Sequence, residues 1–201
     1  DETHLILNNR DIPHGLAFAR LDDGYYLYIA EETQVIRLKR LQKPYTYGQP
    51  ETIIDDIPDG GHFTRTLKIK DKKLYLSVGS SCNVCIEQNR LRAAISRFNL
   101  DGSGGKIFAE GLRNTVGIEF SPYTGELWGV NNGRDMLGDD HPKEELNIIK
   151  QGKHYGWPYC YEAQTFDKNF GLSFDCSKTE VPAYTFTAHM APLGLTFYRE
   201  G

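Results

Sequence analysis

Apolar and polar positions alternate along most of this chain, and the alternation comes in a repeated unit. Gly15-Leu16-Ala17-Phe18 leads to a polar turn at Asp22-Asp23-Gly24 and then to Tyr25 to Ala30. Thr66-Leu67-Lys68-Ile69 leads to Asp71-Lys72-Lys73 and then to Leu74 to Gly79. Gly117-Ile118-Glu119-Phe120 leads to Tyr123-Thr124-Gly125 and then to Glu126 to Val130. Each pair is followed by a loop and a third apolar run, at Val35-Ile36-Arg37-Leu38, Ala94-Ile95-Ser96-Arg97-Phe98 and Leu146-Asn147-Ile148-Ile149. Period-two runs between turn residues are strands with a side chain for each face. The unit recurs about every fifty residues, and a fourth copy begins at Gly194-Leu195-Thr196-Phe197; this is the signature of a β-propeller blade. A β-sandwich or an open meander is the alternative.

The expectation is therefore an all-β chain, 1–201, forming a single β-propeller domain. Blades are stable when the ring closes, so three to four repeats fit a small ring or part of a larger one. Long inserts at residues 80–93, 131–145 and 156–190 follow the second or third strand of a repeat. Inserts at equivalent points gather on one face, where such folds bind ligands.

Composition narrows the partners. The 201 residues are 39% hydrophobic and 25% charged, and the net charge of −4 is spread without blocks. That excludes the basic face a nucleic-acid partner needs. No apolar run approaches the roughly 20 residues that cross a bilayer, so no membrane insertion is expected. The chain starts at Asp1, without methionine, and stops at Gly201 after a strand-like run; truncation is expected. Its four cysteines fall as Cys82-x-x-Cys85 and Cys160…Cys176. Two local pairs favour disulfides and an oxidising compartment, periplasmic or secreted. The rival, half of a zinc site, lacks a histidine at ligand spacing beside the second pair. Cys82 and Cys85 follow a strand rather than open a helix, which reads as a staple and not a redox centre.

Two segments carry candidate chemistry. Gly60-Gly61-His62-Phe63-Thr64-Arg65-Thr66-Leu67 opens one strand, and Ser80-Ser81-Cys82-Asn83-Val84-Cys85 closes the next. Paired as a hairpin, the two bring their ends to one mouth. His62 reads as a general base, a metal ligand or a hydrogen-bonded loop residue; Arg65 nearby would keep it neutral and available as a base. Asn131-Asn132-Gly133-Arg134-Asp135-Met136-Leu137-Gly138-Asp139-Asp140, with Glu144 and Glu145, offers oxygens and turn glycines, the material either of a calcium cage or of a solvated acidic loop. His62, Asn114, His189 and His14 stand near repeat starts and could ring one channel. Tyr123, Trp128, Trp157 and Tyr159 read as packing between blades, with Trp157 also a rim residue.

These segments, with Gly111-Leu112-Arg113-Asn114, Glu144-Glu145-Leu146-Asn147 and His154-Tyr155-Gly156-Trp157-Pro158, resemble the soluble pyrroloquinoline-quinone-dependent sugar dehydrogenases, in particular their sorbosone-dehydrogenase-like branch. The resemblance runs from about Pro13 to Tyr198. It implies a six-bladed propeller, of which this chain holds about four blades, with pyrroloquinoline quinone and Ca2+ at the mouth. It implies that His62 takes the proton from a sugar hydroxyl while hydride passes to the quinone, and that electrons go on to an external acceptor. It assigns cofactor binding to Arg65, Arg113, Asn114, Arg134 and His189, and the metal to Gly133, Arg134 and Asp135. Where the glucose enzymes orient the histidine with an aspartate, this chain has Ser80, and the later basic residues that grip the cofactor have no counterpart before Gly201. A non-catalytic binding module and a calcium-dependent lactonase are the competing readings.

Overall fold

In a computed structural model that describes residues 2–198, the repeat unit becomes an antiparallel sheet of four strands. Asp1 and residues 199–201, the ends of the expected domain, lie outside the described residues. The first sheet runs outward as β1 (Gly15–Leu21), β2 (Gly24–Ala30), β3 (Val35–Lys39) and β4 (Glu51–Ile54). The second runs β5 (Arg65–Lys70), β6 (Lys73–Val78), β7 (Ala94–Asn99) and β8 (Lys106–Glu110). The third begins with β9 (Thr115–Phe120), β10 (Leu127–Asn131) and β11 (Glu144–Ile149). The chain then lays β12 (Lys153–His154) parallel to the edge of β8 and forms a small hairpin from β13 (Cys160–Tyr161) and β14 (Thr165–Phe166). After one 3-10 turn at Cys176–Lys178, β15 (Tyr184–Phe186) completes the third sheet against β11.

Alternation decides the packing. In β6, Leu74, Leu76 and Val78 face the first blade and join Tyr28, Ala30, Val35 and Leu67 in one core. Tyr75 points the other way, into a second core built on Ile95, Leu112, Ile118, Leu127 and Ile149. Each sheet thus supplies half of two interfaces, and burying one Leu at either contributes about 1.5–3 kcal/mol. The inner strands β1, β5 and β9 lie side by side. Their approach is close enough to require glycine: a Cβ on Gly15 would lie 2.3 Å from the Arg65 carbonyl oxygen. Tyr28 adds a polar tie across the interface, its hydroxyl donating to the Leu100 carbonyl at 3.0 Å.

The sheets form part of a propeller and do not close a ring: on β1, Leu16 and Phe18 are 60% and 67% exposed. The described residues hold three full blades. The fourth repeat, expected from Gly194, is present only as an extended segment, with the Gly194 Cα 2.6 Å from where a Gly117 Cβ would stand, and no strand is assigned to it. Two disulfides are formed, Cys82–Cys85 and Cys160–Cys176, so the first pair is a staple and offers no thiolate to zinc.

Candidate active site

The β5–β6 hairpin pairs Arg65 with Val78, so its open end carries Gly60-Gly61-His62 on one side and Gly79-Ser80 on the other. The His62 backbone N–H donates to the Ser80 carbonyl at 3.0 Å. Its ring Nδ1 lies 2.9 Å from the same carbonyl and 3.0 Å from the Ser80 hydroxyl. That hydroxyl donates to the Cys82 carbonyl at 2.7 Å, so both oxygens facing Nδ1 act as acceptors. Nδ1 therefore carries the hydrogen and Nε2 the lone pair. Ser80 orients the ring with two neutral oxygens in place of a carboxylate. Burial lowers the His62 pKa below its usual value, helped by the charges of Arg113 and Arg92; the Ser80 bond and Asp135 work the other way. The imidazole is neutral at pH 7. Arg65, expected to be the cause, is not among these contributions.

Gly79 joins His62 to Asn114. A Cβ there would stand 2.6 Å from the His62 Cβ and 2.7 Å from the Asn114 Oδ1, so any side chain would push the two apart. Asn114 precedes β9 directly, whereas His62 lies three residues before β5; they meet through this glycine and not by equal register. The Asn114 backbone is pinned from the third blade. Its N–H donates to Asn131 Oδ1 at 3.1 Å, and its carbonyl accepts from the Asn132 backbone N–H at 3.0 Å. Among the described residues its side-chain amide has no hydrogen-bond partner.

The arginines divide into two groups. Arg65 is fully buried and donates to the carbonyls of Glu32 (2.9 Å), His62 (2.6 Å), Thr64 (3.0 Å) and Pro58 (2.6 Å). Burial and the nearby Arg92 pull its pKa down to about 10. Four of its five N–H groups are taken by loop backbone and the side chain is fully buried, an arrangement that speaks against the expected direct cofactor contact. Arg134 is also turned inward, paired with Asp167, a residue 2% exposed. Only its main-chain oxygen is left for the metal role. Arg113, 6% exposed, lies at the mouth itself: it donates to Asn83 O at 2.9 Å, Asn83 Oδ1 at 3.0 Å and Gly133 O at 2.6 Å, and reaches the Asp135 carboxylate at 3.3 Å. Arg92, which the sequence reading passed over, lies beneath and donates to the carbonyls of Asp59 and, at 3.3 Å, Gly79.

Asn83 is the other residue that reading missed. Within the loop closed by Cys82–Cys85, its carbonyl accepts from Arg113 and from Trp157 Nε1 at 3.2 Å, and its side-chain oxygen accepts the Asp135 N–H at 2.8 Å. The three inserts therefore meet at one residue, and Trp157, 7% exposed, is a rim support. His189 joins from the last segment, its Nε2 2.9 Å from the Gly138 carbonyl and its Nδ1 3.9 Å from Asp135. His14, just before the neighbouring inner strand β1, is exposed and its Nδ1 lies 3.3 Å from the Arg65 carbonyl.

These groups fit an anionic, planar cofactor: a free amide at Asn114 and an unpaired ring nitrogen at His62 stand at one mouth beside the positive charge of Arg113, whose N–H groups are taken by Asn83, Asn132, Gly133 and Asp135 and which therefore acts through its field. They fit a hard cation on a condition. Gly133 O is already shared with Arg113, and the Asp135 carboxylate is 66% exposed beside the same guanidinium. A cation here meets a positive neighbour unless a bound anion stands between them.

A family profile described as TrAA12-like matches residues 1–201. The fold is similar to the PQQ domain of pyranose dehydrogenase from Coprinopsis cinerea in its holo form, with a TM-score of 0.82 at 21% identity over 98% of this chain and 60% of that one. It is also similar to the calcium structure of the Trichoderma reesei carbohydrate-active enzyme of family AA12, with a TM-score of 0.79 at 24% identity over 90% of this chain and 57% of that one. An uncharacterised protein of Borreliella burgdorferi is 38% identical over 144 residues, 69% of this chain and 37% of its own length. The pyrroloquinoline quinone-dependent sugar dehydrogenase of Hypocrea jecorina is 26% identical across 94% of this chain and 55% of its own. The chain thus spans between 37% and 55% of the length of these two relatives.

Proposed function

Because the chain belongs to the TrAA12-like family, we propose that it forms part of an oxidoreductase that oxidises a sugar or sugar aldehyde, with pyrroloquinoline quinone and Ca2+ as cofactors and His62 as the base. The observation that carries this reading is the His62–Ser80–Gly79–Asn114 arrangement: a neutral imidazole with a fixed tautomer and a free lone pair, held beside a half-buried amide that bonds to no other side chain or backbone group among the described residues. When bound, the quinone supplies a hydride acceptor and calcium polarises its carbonyl. Asn114 and Arg113 would hold the cofactor, with His189 at the edge. The main-chain oxygens of Gly133 and Arg134 and the Asp135 carboxylate would hold the metal.

This chain's own part is proton handling and orientation. His62 Nε2 receives the proton from the sugar hydroxyl, and the resulting imidazolium keeps its Nδ1–H on Ser80 O and Oγ. Neutral oxygens stabilise that cation less than a carboxylate would, so the proton leaves again more readily. Arg113 and Arg92 act in the same sense by opposing the charged ring. Against a lactonase, Glu144 and Glu145 are both committed to N–H donors behind the mouth and are not aimed into it. The substrate is a small sugar and electrons pass to an external acceptor; the two disulfides support a periplasmic or secreted location.

The test is dye-linked oxidation of a panel of aldoses and sugar aldehydes after loading with quinone and calcium, in the parent protein and in His62→Ala. The variant is expected to keep the spectrum of bound quinone and to lose turnover by about 10²–10⁴-fold. Equal turnover in both would discard His62 as the base.

A further inference from the structure

We propose that Glu145 is a positioning residue for this mouth: a buried carboxylate that, through Asn131, fixes the place and orientation of Asn114. The proposal rests on reading Asn114 as a cofactor-holding residue. Glu145 lies on β11 directly opposite Asn131 on β10, and it is 6% exposed. Its carboxylate meets three N–H donors: Asn147 Nδ2 at 3.0 Å, Asn131 Nδ2 at 3.4 Å and the Glu162 backbone N–H at 3.1 Å.

Burial pushes the Glu145 carboxyl up to about 7, while the Asn147, Asn131 and Glu162 donors favour its charged form; once ionised it is an acceptor-only group surrounded by donors, and such a group dictates how its neighbours stand. With its Nδ2 held by Glu145, Asn131 must turn Oδ1 the other way, and that oxygen accepts the Asn114 N–H and the Thr115 hydroxyl, each at 3.1 Å. The opposite rotamer would set an N–H against the Asn114 N–H and an oxygen against the carboxylate. A side-chain acceptor is needed here because the β9–β10 ladder shifts register between Val130 and Asn131, which takes the Asn114 N–H out of regular strand pairing. Asn147 shows how strongly the carboxylate imposes itself, since it turns its own N–H to Glu145 and leaves its Oδ1 buried without a partner among the described residues. Through the Glu162 N–H, the same carboxylate ties the start of the Cys160–Cys176 excursion to the site. A glutamine cannot substitute, because one end of its amide would face N–H donors with another N–H.

The test compares the parent protein with Glu145→Gln, Asn131→Ala and the double variant. Three quantities are read: amide hydrogen exchange at Asn114 without ligand, global thermal unfolding, and quinone affinity in the presence of calcium. Glu145→Gln is expected to speed Asn114 exchange about tenfold beyond any global change and to weaken quinone binding about tenfold. The double variant is expected to be no worse than Asn131→Ala alone, since the two residues act in series. Parent-like exchange at Asn114 in Glu145→Gln, or additive effects in the double variant, would overturn the proposal. Should Glu145→Gln fail to fold, Asn147→Ala removes one donor from the same carboxylate and is expected to move Asn114 exchange in the same direction by a smaller factor; no movement overturns the proposal. If the parent binds no quinone, the proposed function falls, while the exchange data still decide the role of Glu145.

Discussion

The first blade and the second end alike in strand geometry and differ in how they treat buried charge. Between β2 and β3 the first blade makes a short turn, Glu31 to Gln34, and its one fully buried charge, Glu31, is paired with Arg10 (Nη2 to Oε2, 2.7 Å) and with Gln34 (2.8 Å). Between β6 and β7 the second blade makes a long connection, residues 79–93, that carries the Cys82–Cys85 staple, and the guanidinium groups around it, Arg65, Arg92 and Arg113, are held mainly by carbonyl oxygens. Carbonyls satisfy the donors without cancelling the charge. The first arrangement is closed to ligands, whereas the second keeps a positive field at the mouth, to which an anion adds what is missing.

The sharpest way to break that contrast is to neutralise one arginine on each side. Arg113→Met removes the charge at the mouth and frees Asn83 O and Gly133 O, so quinone affinity is expected to fall by about 100-fold. Arg10→Met leaves Glu31 buried without its cation and is expected to cost about 3 kcal/mol of stability, with quinone affinity unchanged. Calorimetric titration and thermal melts on both variants check the pair. Equal losses of affinity would show that the two blade ends do not differ in kind.

A milder test opens the staple. Cys82→Ser with Cys85→Ser frees Asn83 to move away from Arg113, Asp135 and Trp157, and quinone affinity is expected to drop by about three- to tenfold with little change in melting temperature, because the loop it closes is short. A large fall in melting temperature would instead make the staple a stability element. The smallest expected effect is a pH shift. Burial and, after it, the charges of Arg113 and Arg92 disfavour the imidazolium, so the His62 pKa lies below its ordinary value; Arg113→Met removes one of the smaller causes and should move its titration part of the way back up. Ring NMR of the ligand-free protein reads this directly, and a downward move would contradict the assigned cause.

Much of the fold was legible because strand alternation is local. β1 to β3, β5 to β7 and β9 to β11 follow apolar runs that the sheets bury on one or both faces, while the outer strands β4 and β8 are short, bury only Ile54 and Ala109, and leave no pattern to read. His62 and the 131–140 segment were visible through residue type and spacing. The direction of a guanidinium was not. Arg65 and Arg134 look equivalent to Arg113 in sequence, and only tertiary placement turns Arg65 to the loop beneath, Arg134 to Asp167 and Arg113 to Asn83, Gly133 and Asp135 at the mouth. Asn83 carried one signal, a polar residue with both donor and acceptor locked between two cysteines. Arg92 carried none, and Glu145 was visible only as one more oxygen of the acidic segment, since what they do depends on which donors and acceptors the neighbouring elements present.

Calcium affinity measured with and without pyrroloquinoline quinone tests the central claim most directly. With Arg113 beside Gly133 O and Asp135, calcium alone is expected to bind weakly, and saturating quinone to tighten it by about 10–100-fold through the coupling between the two sites. Calcium binding equally tight in the absence of quinone would contradict an anion-seeking mouth.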